Sequence, residues 1–502
     1  MDIANNRKVK LKLNMSFSIL YQVIGIVCGF ILPRLMLNVY GSKTNGLVNS
    51  IESILHIITL MEMGIGAVVQ SALYKPLAQN DKEKISRIIC ATKKHFRLIG
   101  SLFALFVLAV LIIYPLYLKN EFDILVTAYL IIAIAISLCS QYFFGLVNSL
   151  LIQADQKGYI YYIIQIITTV LNTLVCALLI IKGFSINIVK FVSATIFLIK
   201  PFLLNLYVKK NYHLYSIKVK GDELPQKWNG VAQHIASYIL FNTDVLVLTL
   251  FSKIEYVSIY STYYLVAYSL RVMITAFTSG FQSYYGNQNA SSEFDSLKKD
   301  FEKYTYISSE LSTFIFCVAI IMIVPFALCY TSKVTDANYN QFVFGTLLLL
   351  GQYMFCYRRF FNVLVLSLGK FKETQRSSII EAALNVVISI LLVIKFGLIG
   401  VAIGTYIAMF YRTISLAIYF SKNILYRPIS KLFKDLIINY IVVFISIALG
   451  YYVNINFKID NFIQWTLYSC IASVVVLIIL VVVNLIFNRD KLKYILKSKK
   501  SF

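Results

Sequence analysis

The sequence predicts an all-α integral membrane protein, and three observations lead to this fold class. The 502 residues are 59% apolar and only 14% charged, which leaves too little polar surface for a soluble globular protein of this length. Fourteen apolar stretches are each long enough to cross a bilayer, since about 20 apolar residues span its hydrocarbon core. Lipid supplies no water to satisfy backbone groups, so every stretch is expected to be a helix.

The third observation is the distribution of positive charge between these stretches. Of the 47 lysine and arginine residues, we count 33 in the termini and even-numbered connections, 7 at the odd-numbered connections and 7 within the stretches. Arg97 and Lys395, at the ends of their stretches, are counted with the adjoining connections. Cytoplasmic loops of membrane proteins carry an excess of Lys and Arg. The pattern predicts a multi-pass protein with both termini in the cytoplasm. It also accounts for the net charge of +24 by topology and anionic membrane lipids, without a nucleic-acid partner.

Each apolar stretch is expected to form one transmembrane helix. We number these spans 1 to 14 in chain order, and their predicted limits are 15–38, 46–74, 96–118, 124–152, 159–181, 185–208, 231–252, 255–283, 304–330, 339–368, 377–395, 398–421, 435–455 and 462–487. The connections between them are too short to fold as separate catalytic domains, so the sequence predicts a protein that is not an enzyme.

An internal repeat relates two parts of the chain. Residues 171–182 (LNTLVCALLIIK) and 384–395 (LNVVISILLVIK) are identical at six of twelve aligned positions. At this offset spans 5 and 6 align with spans 11 and 12. Spans 1–6 and 7–12 are therefore expected to form two pseudo-symmetric six-helix bundles, an arrangement known among transporters.

The repeat divides the chain into four predicted segments. Residues 1–208 form the first six-helix bundle, and residues 209–230 form a lysine-rich cytoplasmic linker. Residues 231–430 form the second bundle. Residues 431–502 contain spans 13 and 14, which lie outside the repeat, and a basic cytoplasmic tail.

Ionisable residues inside the spans are the strongest functional candidates, because each costs about 2.5–3.5 kcal/mol on insertion scales. Cations outnumber carboxylates among them, so we expect them to line a water-filled cavity between the bundles that takes an anionic ligand. The planar guanidinium group suits phosphate because it donates two parallel hydrogen bonds. The candidate substrate-binding cations are Arg34, Lys200, Arg271, Arg358, Arg359 and Arg412.

A second interpretation of these cations is structural. Arg271 would then form a buried ion pair with Asp244 or Glu62 that fixes the packing of the helices. Arg358 and Arg359 are adjacent and point about 100° apart on a helix. We therefore expect only one of these two arginines to face the cavity.

Glu62 in span 2 and Asp244 in span 7 are the candidates for ion coupling, because a carboxylate inside a span can bind a proton or a sodium ion. Pairing with the arginines is the alternative for both. For Arg34 and Lys190 the alternative is that the side chain extends to the membrane interface. The eight cysteines and four histidines have no metal-ligand spacing, so the sequence predicts no metal site and no cofactor.

The run YGSKTNGLVNSI at residues 40–51 follows a first span that contains Pro33 and Arg34. This segment resembles the start of the second helix in polysaccharide flippases of the Wzx type, which share a superfamily with MATE drug exporters and lipid II flippases. Fourteen spans with a C-terminal pair beyond two six-helix bundles also fit that family over essentially the whole chain. The resemblance implies a V-shaped, alternating-access transporter in the bacterial cytoplasmic membrane.

The resemblance also implies a function. A Wzx-type protein would move polyprenyl-diphosphate-linked oligosaccharide repeat units of O-antigen or capsule from the inner to the outer leaflet, alongside a polysaccharide polymerase. Its cationic cavity would hold the diphosphate, here through Arg34, Arg271, Arg358 and Arg412. A MATE-like, cation-coupled exporter of small molecules and an integral-membrane glycosyltransferase or polymerase remain alternatives. The first would favour carboxylates in the cavity, and the second would favour a larger catalytic loop.

Overall fold

The structure is a computed structural model that describes residues 2–58, 62, 65–215, 217, 231–279, 281, 285, 294–368, 370–426 and 428–489. All regular secondary structure in these residues is helical, which confirms the predicted all-α class. The helices are α1 Asp2–Leu55, α2 Ile65–Gln79, α3 Lys82–Tyr117, α4 Ile124–Ser140, α5 Leu146–Ala154, α6 Gly158–Ile181, α7 Ile186–Asn211, α8 Val231–Phe251, α9 Ile254–Ser279, α10 Phe294–Tyr330, α11 Phe342–Tyr357, α12 Arg359–Leu368, α13 Phe371–Phe396, α14 Leu398–Phe420, α15 Ile429–Asn456 and α16 Phe462–Phe487. Two π-helical turns, Gln141–Gly145 and Ser421–Leu425, follow α4 and α14.

Ten helical segments of the described chain are long and apolar enough to cross a membrane, so the protein is a multi-pass membrane protein. Four predicted spans depart from this simple form. Span 7 is represented by a shorter apolar helix over Ile235–Phe251, and span 8, the 26-residue α9, is long enough but too polar. Span 10 is divided into α11 and α12. Span 2 is divided between the last turns of α1 and the separate helix α2. These four spans carry the candidate residues Glu62, Asp244, Arg271, Arg358 and Arg359.

The predicted outer turn between spans 1 and 2 is a kink within α1. Gly41 has φ 78° and ψ 177°, while the residues on either side are helical. Glycine adopts a positive φ without the steric penalty of a Cβ atom, so the sequence YGSK bends the chain at this residue. Two helical segments thus meet at Gly41, inside the predicted connection 39–45, and both extend closer to the turn than the predicted spans do.

Two helices begin well before the predicted spans. Helix α3 starts at Lys82 and α10 at Phe294, whereas the predicted spans start at 96 and 304. Asp81 caps α3 by accepting a hydrogen bond from the backbone nitrogen of Lys84 at 2.9 Å. The apolar run marks only the part of a helix inside the hydrocarbon, so it misses polar turns that continue beyond the membrane.

The chain separates into two compact units, residues Met1–Ile235 and Ala236–Phe502. Helices α15 and α16, which carry spans 13 and 14, belong to the second unit. Polar contacts join α16 to α10: Trp465 Nε1 donates to the carbonyl of Met322 at 3.1 Å, and Asn484 Nδ2 donates to Glu310 Oε2 at 2.8 Å. Most of the predicted linker, residues 218–230, lies outside the described residues.

Equivalent hydrogen bonds occur at repeat-related positions of the two units. In the first unit Cys176 Sγ contacts the carbonyl of Val189 at 3.8 Å. In the second unit Ser389 Oγ contacts the carbonyl of Val401 at 3.4 Å. The aligned residues Asn172 and Asn385 are also both buried. The sequence repeat thus corresponds to a shared way of packing α6 on α7 and α13 on α14.

Candidate functional site

Asp244 on α8 is the centre of a buried hydrogen-bond cluster in the second unit, with 2% of its surface exposed. Its carboxylate accepts hydrogen bonds from Tyr260 Oη at 2.9 Å and from Asn385 Nδ2 at 3.3 Å. Thr405 Oγ1 lies 2.8 Å from both carboxylate oxygens. All three partners are neutral, and Asp244 forms no ion pair with any described residue. We call these four residues the Asp244 cluster.

The Asp244 cluster and its surroundings contain several buried oxygen atoms. Asn385 Oδ1 is buried and has no hydrogen-bond partner among the described residues. One helical turn farther along α13, Ser389 Oγ approaches the carbonyl of Val401. Carboxylate, amide, hydroxyl and carbonyl oxygens are the donors that hard cations prefer. The described chain has no group of three or more His, Cys, Asp or Glu side chains for a transition metal. The cluster is therefore chemically suited to a proton or to a hard cation such as sodium.

Arg271 on α9 is buried among aromatic rings, with 9% of its surface exposed. Its guanidinium carbon lies 4.0 Å from the ring centroid of Phe241 and 5.2 Å from that of Tyr268. The guanidinium donates to Tyr264 Oη at 3.0 Å and to Gln352 Oε1 at 3.2 Å. Cation–π contacts and neutral acceptors stabilise the charge without cancelling it.

The predicted alternative of an ion pair between Arg271 and Asp244 or Glu62 is absent from the described structure. Two tyrosines stand between Arg271 and Asp244 instead. Tyr260 donates to Asp244, Tyr264 accepts from Arg271, and the two rings stack at 5.4 Å between centroids. Two hydrogen bonds and one aromatic ring contact therefore link the carboxylate to the guanidinium.

Arg358 and Arg412 share one buried carboxylate, Glu381 on α13. Arg358 Nη2 lies 2.5 Å from Glu381 Oε1, and Arg412 Nε lies 3.8 Å from Glu381 Oε2. Arg358 also donates to the carbonyl of Met409 at 3.0 Å, and Arg412 to that of Thr374 at 2.6 Å. Two guanidinium groups and one carboxylate leave this triad with a net positive charge when all three are ionised.

The triad changes how two of the predicted substrate-binding cations are understood. Arg358 and Arg412 were expected to face a cavity without an acidic partner, and Glu381 was not among the candidates. Glu381 lies near the start of predicted span 11, where a carboxylate is readily taken for an interfacial residue. A role for both arginines in substrate binding stays a prediction.

Arg358 and Arg359 differ in their surroundings, as their adjacency predicts. Arg358 ends α11 with φ −81° and ψ 0° and is buried in the triad. Arg359 begins α12 and is half-buried, and its buried Nε has no hydrogen-bond partner among the described residues. The break in the helix at this point separates the two guanidinium groups.

The first unit contains a second polar cluster at membrane depth. Glu62 accepts a hydrogen bond from Tyr142 Oη. Lys200, 8% exposed, has its Nζ 5.2 Å from the ring centroid of Tyr161. Tyr161 Oη in turn accepts from Gln165 Nε2 at 2.8 Å. Glu62 and Lys200 form no ion pair with a described residue, so each charge is held by neutral aromatic and amide groups.

Local backbone features position this cluster. Tyr142 lies in the π-helical turn Gln141–Gly145, and π-helical turns inside α-helices occur often at functional sites. Lys200 precedes Pro201, and a Cβ atom at Gly145 would lie only 3.3 Å from Pro201 Cβ. The lack of a side chain at Gly145 thus allows α7 to approach the π turn closely.

The two remaining cations, Arg34 in span 1 and Lys190 in span 6, have different environments. Lys190 forms an ion pair with Glu52 at 2.8 Å, a partner that the sequence had not assigned to it. Arg34 on α1 is partly exposed. Neither residue joins the Asp244 cluster or the triad, both of which lie in the second unit.

Solved structures of membrane transporters share this fold. The lipid II flippase MurJ in an inward closed conformation matches with a TM-score of 0.67 and 15% identity, covering 94% of this chain and 99% of that chain. An inward-facing multidrug resistance MATE transporter of the MOP superfamily matches with a TM-score of 0.62 and 13% identity over 80% of this chain and 94% of that chain. The MATE multidrug transporter DinF-BH matches with a TM-score of 0.55 and 15% identity over 83% of this chain and 97% of that chain.

No protein-family model and no curated protein matches the sequence. The likeness to the solved structures therefore concerns the fold. It extends over 94% of this chain and 99% of the MurJ chain in the first of these matches, so the chain shares the overall fold of these structures.

Proposed function

We propose that this protein is a flippase for lipid-diphosphate-linked oligosaccharide repeat units. It moves them from the inner to the outer leaflet of a bacterial cytoplasmic membrane for surface polysaccharide biosynthesis. Both termini lie in the cytoplasm, as the distribution of Lys and Arg predicts. The protein works by alternating access and delivers its product to a polysaccharide polymerase.

The observation that carries this proposal is the excess of buried positive charge in the second unit. Arg271 has only neutral contacts, and the triad of Arg358, Arg412 and Glu381 has two cations for one carboxylate. A buried charge without a counter-ion is costly in a low-dielectric environment. An anionic group such as a diphosphate would supply the missing negative charge, and guanidinium groups bind phosphate oxygens in pairs.

The fold supports a lipid-linked substrate. The MurJ match is named for lipid II, and the two chains correspond over nearly their whole lengths. A large amphiphilic substrate needs a protein that accepts a polar head at membrane depth and leaves the lipid tail in the bilayer. A chain made largely of helices that can cross a membrane is consistent with that task.

The Asp244 cluster supports ion coupling. Its carboxylate, hydroxyl and amide oxygens are buried and offer a site for one proton or one sodium ion. In our proposal, binding of this ion changes the charge at the Asp244 end of the tyrosine pair that leads to Arg271. The ion would thereby alter how strongly Arg271 attracts an anionic substrate. Glu62 is the corresponding candidate in the first unit.

A second candidate function is a cation-coupled exporter of small molecules, which the MATE matches favour. The charge of the cargo distinguishes the two. An exporter of organic cations would need buried carboxylates in excess of buried cations. In the described part of the second unit the buried cations Arg271, Arg358 and Arg412 outnumber the buried carboxylates Asp244 and Glu381. This arrangement favours an anionic cargo.

The proposal is tested by deleting the gene and separating lipid-linked glycans by leaflet. We expect repeat units to accumulate on the cytoplasmic leaflet and surface polysaccharide to fall. Export should return with wild type, return in part with Arg271→Lys, and stay absent with Arg271→Ala, because the lysine keeps the charge but loses the paired hydrogen bonds.

Arg87→Ala is the matched control, since Arg87 is an exposed arginine paired only with Glu83 on the same helix. It should export normally. Unchanged surface glycan without lipid-linked intermediates after deletion would refute the flippase. Equal export by both Arg271 variants at equal expression would remove Arg271 from the mechanism.

A further inference from the structure

A cavity of about 650 Å³ lies at one end of the second unit, away from the buried charges. Its walls come from two connections, residues 331–341 between α10 and α11 and residues 457–461 between α15 and α16, together with the adjoining helix ends. These are odd-numbered connections, which carry few cations, so the cavity is predicted to open on the outer side of the membrane. None of the candidate ion or substrate residues lines it.

The walls of this outer cavity are held in place by buried anchors. Tyr339 is 3% exposed, its hydroxyl lies 2.9 Å from Ser258 Oγ, and its carbonyl accepts from Tyr263 Oη at 2.6 Å. The two connections are joined by Asn454 Nδ2, which donates to Asn340 Oδ1 at 3.2 Å. The cavity is therefore preformed, so a ligand would not have to order its walls.

Polar groups on both walls remain available after these contacts. Asn454 and Asn456 use their amide nitrogens, the latter for the carbonyl of Tyr452 at 2.9 Å, and keep their side-chain oxygens as acceptors. Asn338 uses its side-chain oxygen for the backbone nitrogen of Asn340 at 2.9 Å and keeps its amide nitrogen as a donor. Two acceptors and one donor thus belong to residues that line the cavity and have no hydrogen-bond partner among the described residues.

The charge of the lining favours an uncharged ligand. One lysine, Lys458, is balanced by one aspartate, Asp460, so the cavity lacks the cluster of cations that a phosphate would need. The exposed residue Ser332 adds a hydroxyl group to the lining, and Phe457 adds an apolar surface. Fixed amides and hydroxyls beside apolar surface suit a polyol, which presents hydroxyl groups and C–H faces together.

We propose that the outer cavity binds the neutral saccharide part of the lipid-linked oligosaccharide after it reaches the outer leaflet. Its volume falls within the about 300–1,000 Å³ typical of small-molecule sites, so it fits a short saccharide rather than a whole repeat polymer. The assignment of the ligand to the lipid-linked oligosaccharide rests on the proposed function. Its lack of charge and its hydroxyl groups are inferred from the residues that line the cavity. Binding there would hold the head group on the product side and oppose its return.

The test uses the full-length protein in nanodiscs and a soluble probe. The probe is the glycan released by mild acid from the cell's own pool of polyprenyl-diphosphate-linked intermediates, so that neither lipid nor diphosphate contributes. Binding is measured by saturation-transfer NMR and calorimetry. We expect wild type to bind, and Asn456→Leu and Asn338→Leu to bind about fivefold more weakly each, as the loss of one hydrogen bond predicts.

Asn120→Leu is the matched control, because Asn120 is an exposed asparagine of another odd-numbered connection and does not line the cavity. It should bind as wild type does, and all variants should keep the wild-type unfolding temperature. Absence of glycan binding by wild type, or equal binding by every variant, would overturn the outer site. That result would leave the flippase proposal intact if deletion still causes lipid-linked units to accumulate. Normal export after deletion would overturn the flippase even if the glycan binds.

Discussion

The carboxylates of Asp244 and Glu381 are both buried in the second unit, but their partners differ in charge. Glu381 lies between two guanidinium groups, whereas Asp244 accepts hydrogen bonds from hydroxyl and amide groups only. A carboxylate that contacts two guanidinium groups is unavailable to a mobile cation. A carboxylate among neutral donors can exchange those bonds for a proton or a metal ion. We therefore propose different roles for the two residues, structural for Glu381 and ion-binding for Asp244.

The first prediction concerns the Asp244 cluster. Asp244→Asn removes the charge and Thr405→Val removes a ligand oxygen with little change in shape, so both should abolish ion-dependent transport. If sodium is the ion, the wild-type unfolding temperature should be higher in NaCl than in choline chloride, because a ligand of the native state stabilises it. Both variants should lose that difference.

For a proton-coupled protein the same variants should instead remove the dependence of transport on a pH gradient. Ser261→Ala on α9 is a suitable control, since Ser261 donates only within its own helix. Transport by wild type that responds to neither sodium nor a pH gradient would contradict coupling at this site.

The second prediction concerns the triad. Glu381→Gln leaves Arg358 and Arg412 without their shared counter-ion and should destabilise the protein by about 3–5 kcal/mol, the usual effect of breaking a buried ion pair. The measurement is thermal unfolding in detergent. Replacing all three residues with methionine should recover stability but not export, because it removes the uncompensated charges and the anion-binding groups together. Full stability of Glu381→Gln would show that the triad is not a structural ion pair.

At the scale of the helices, irregular backbone coincides with the candidate residues. The break between α11 and α12 falls at Arg358, and the π turn after α4 presents Tyr142 to Glu62. Interrupted helices are tolerated at membrane depth where they are buried in protein or line a wet cavity. An interruption lowers the stability of a helix, so interruptions at the candidate residues are consistent with a functional role for these positions.

The crossing of α13 and α14 fixes the Asp244 cluster, because Asn385 and Thr405 lie on these two helices. A Cβ atom at Gly400 would clash with the backbone carbonyl of Leu392, and one at Gly404 would clash with Ser389. Only glycine allows this approach, so small residues at the interface determine the geometry of the ion site.

The third prediction follows from that crossing. Gly400→Ala should force α13 and α14 apart and lower the free energy of unfolding by about 1–3 kcal/mol, as overpacking does. Gly25→Ala is the control, since no atom lies within 4 Å of the position of its Cβ. It should be neutral or slightly stabilising because alanine favours the helix. Equal unfolding temperatures of the two variants would contradict the close packing.

At the scale of the whole molecule, orientation follows from charge and not from any single contact. Lys182 precedes α7 and Lys210 is near its end, and both are exposed. The alternation of cations predicts that Lys182 lies on the outer side and Lys210 in the cytoplasm.

The fourth prediction tests this orientation. In a cysteine-free background, Lys182→Cys should react with a membrane-impermeant maleimide in intact cells, and Lys210→Cys only after the cells are permeabilised. The reverse labelling pattern would mean that the protein has the opposite orientation in the membrane, with the outer cavity on the cytoplasmic side.

The sequence alone predicted the all-α fold and most of the helices. The length of each apolar stretch and the alternation of charge between the connections are local features, and the bilayer imposes both. It also identified Asn385 through the repeat, although not as a neighbour of Asp244. The predicted starts of α3 and α10 are too late, because hydropathy marks the part of a helix inside the membrane and not its polar turns outside it. The turn at Gly41 is shorter than the predicted connection, because a single positive φ angle changes the direction of the chain while the residues on either side stay helical.

The amino-acid sequence by itself determined that this chain is a helical membrane protein with a repeat and with cations buried inside its spans. The tertiary structure decided which charges meet, since Arg358, Glu381 and Arg412 come from three segments that are remote in sequence. It also decided that Asp244 is surrounded by neutral donors and Arg271 by aromatic rings. Whether a side chain is buried depends on the free energy of transferring it from water into the membrane, which its own chemistry sets. Which side chain it contacts depends on how the helices cross, and no local sequence pattern encodes that crossing.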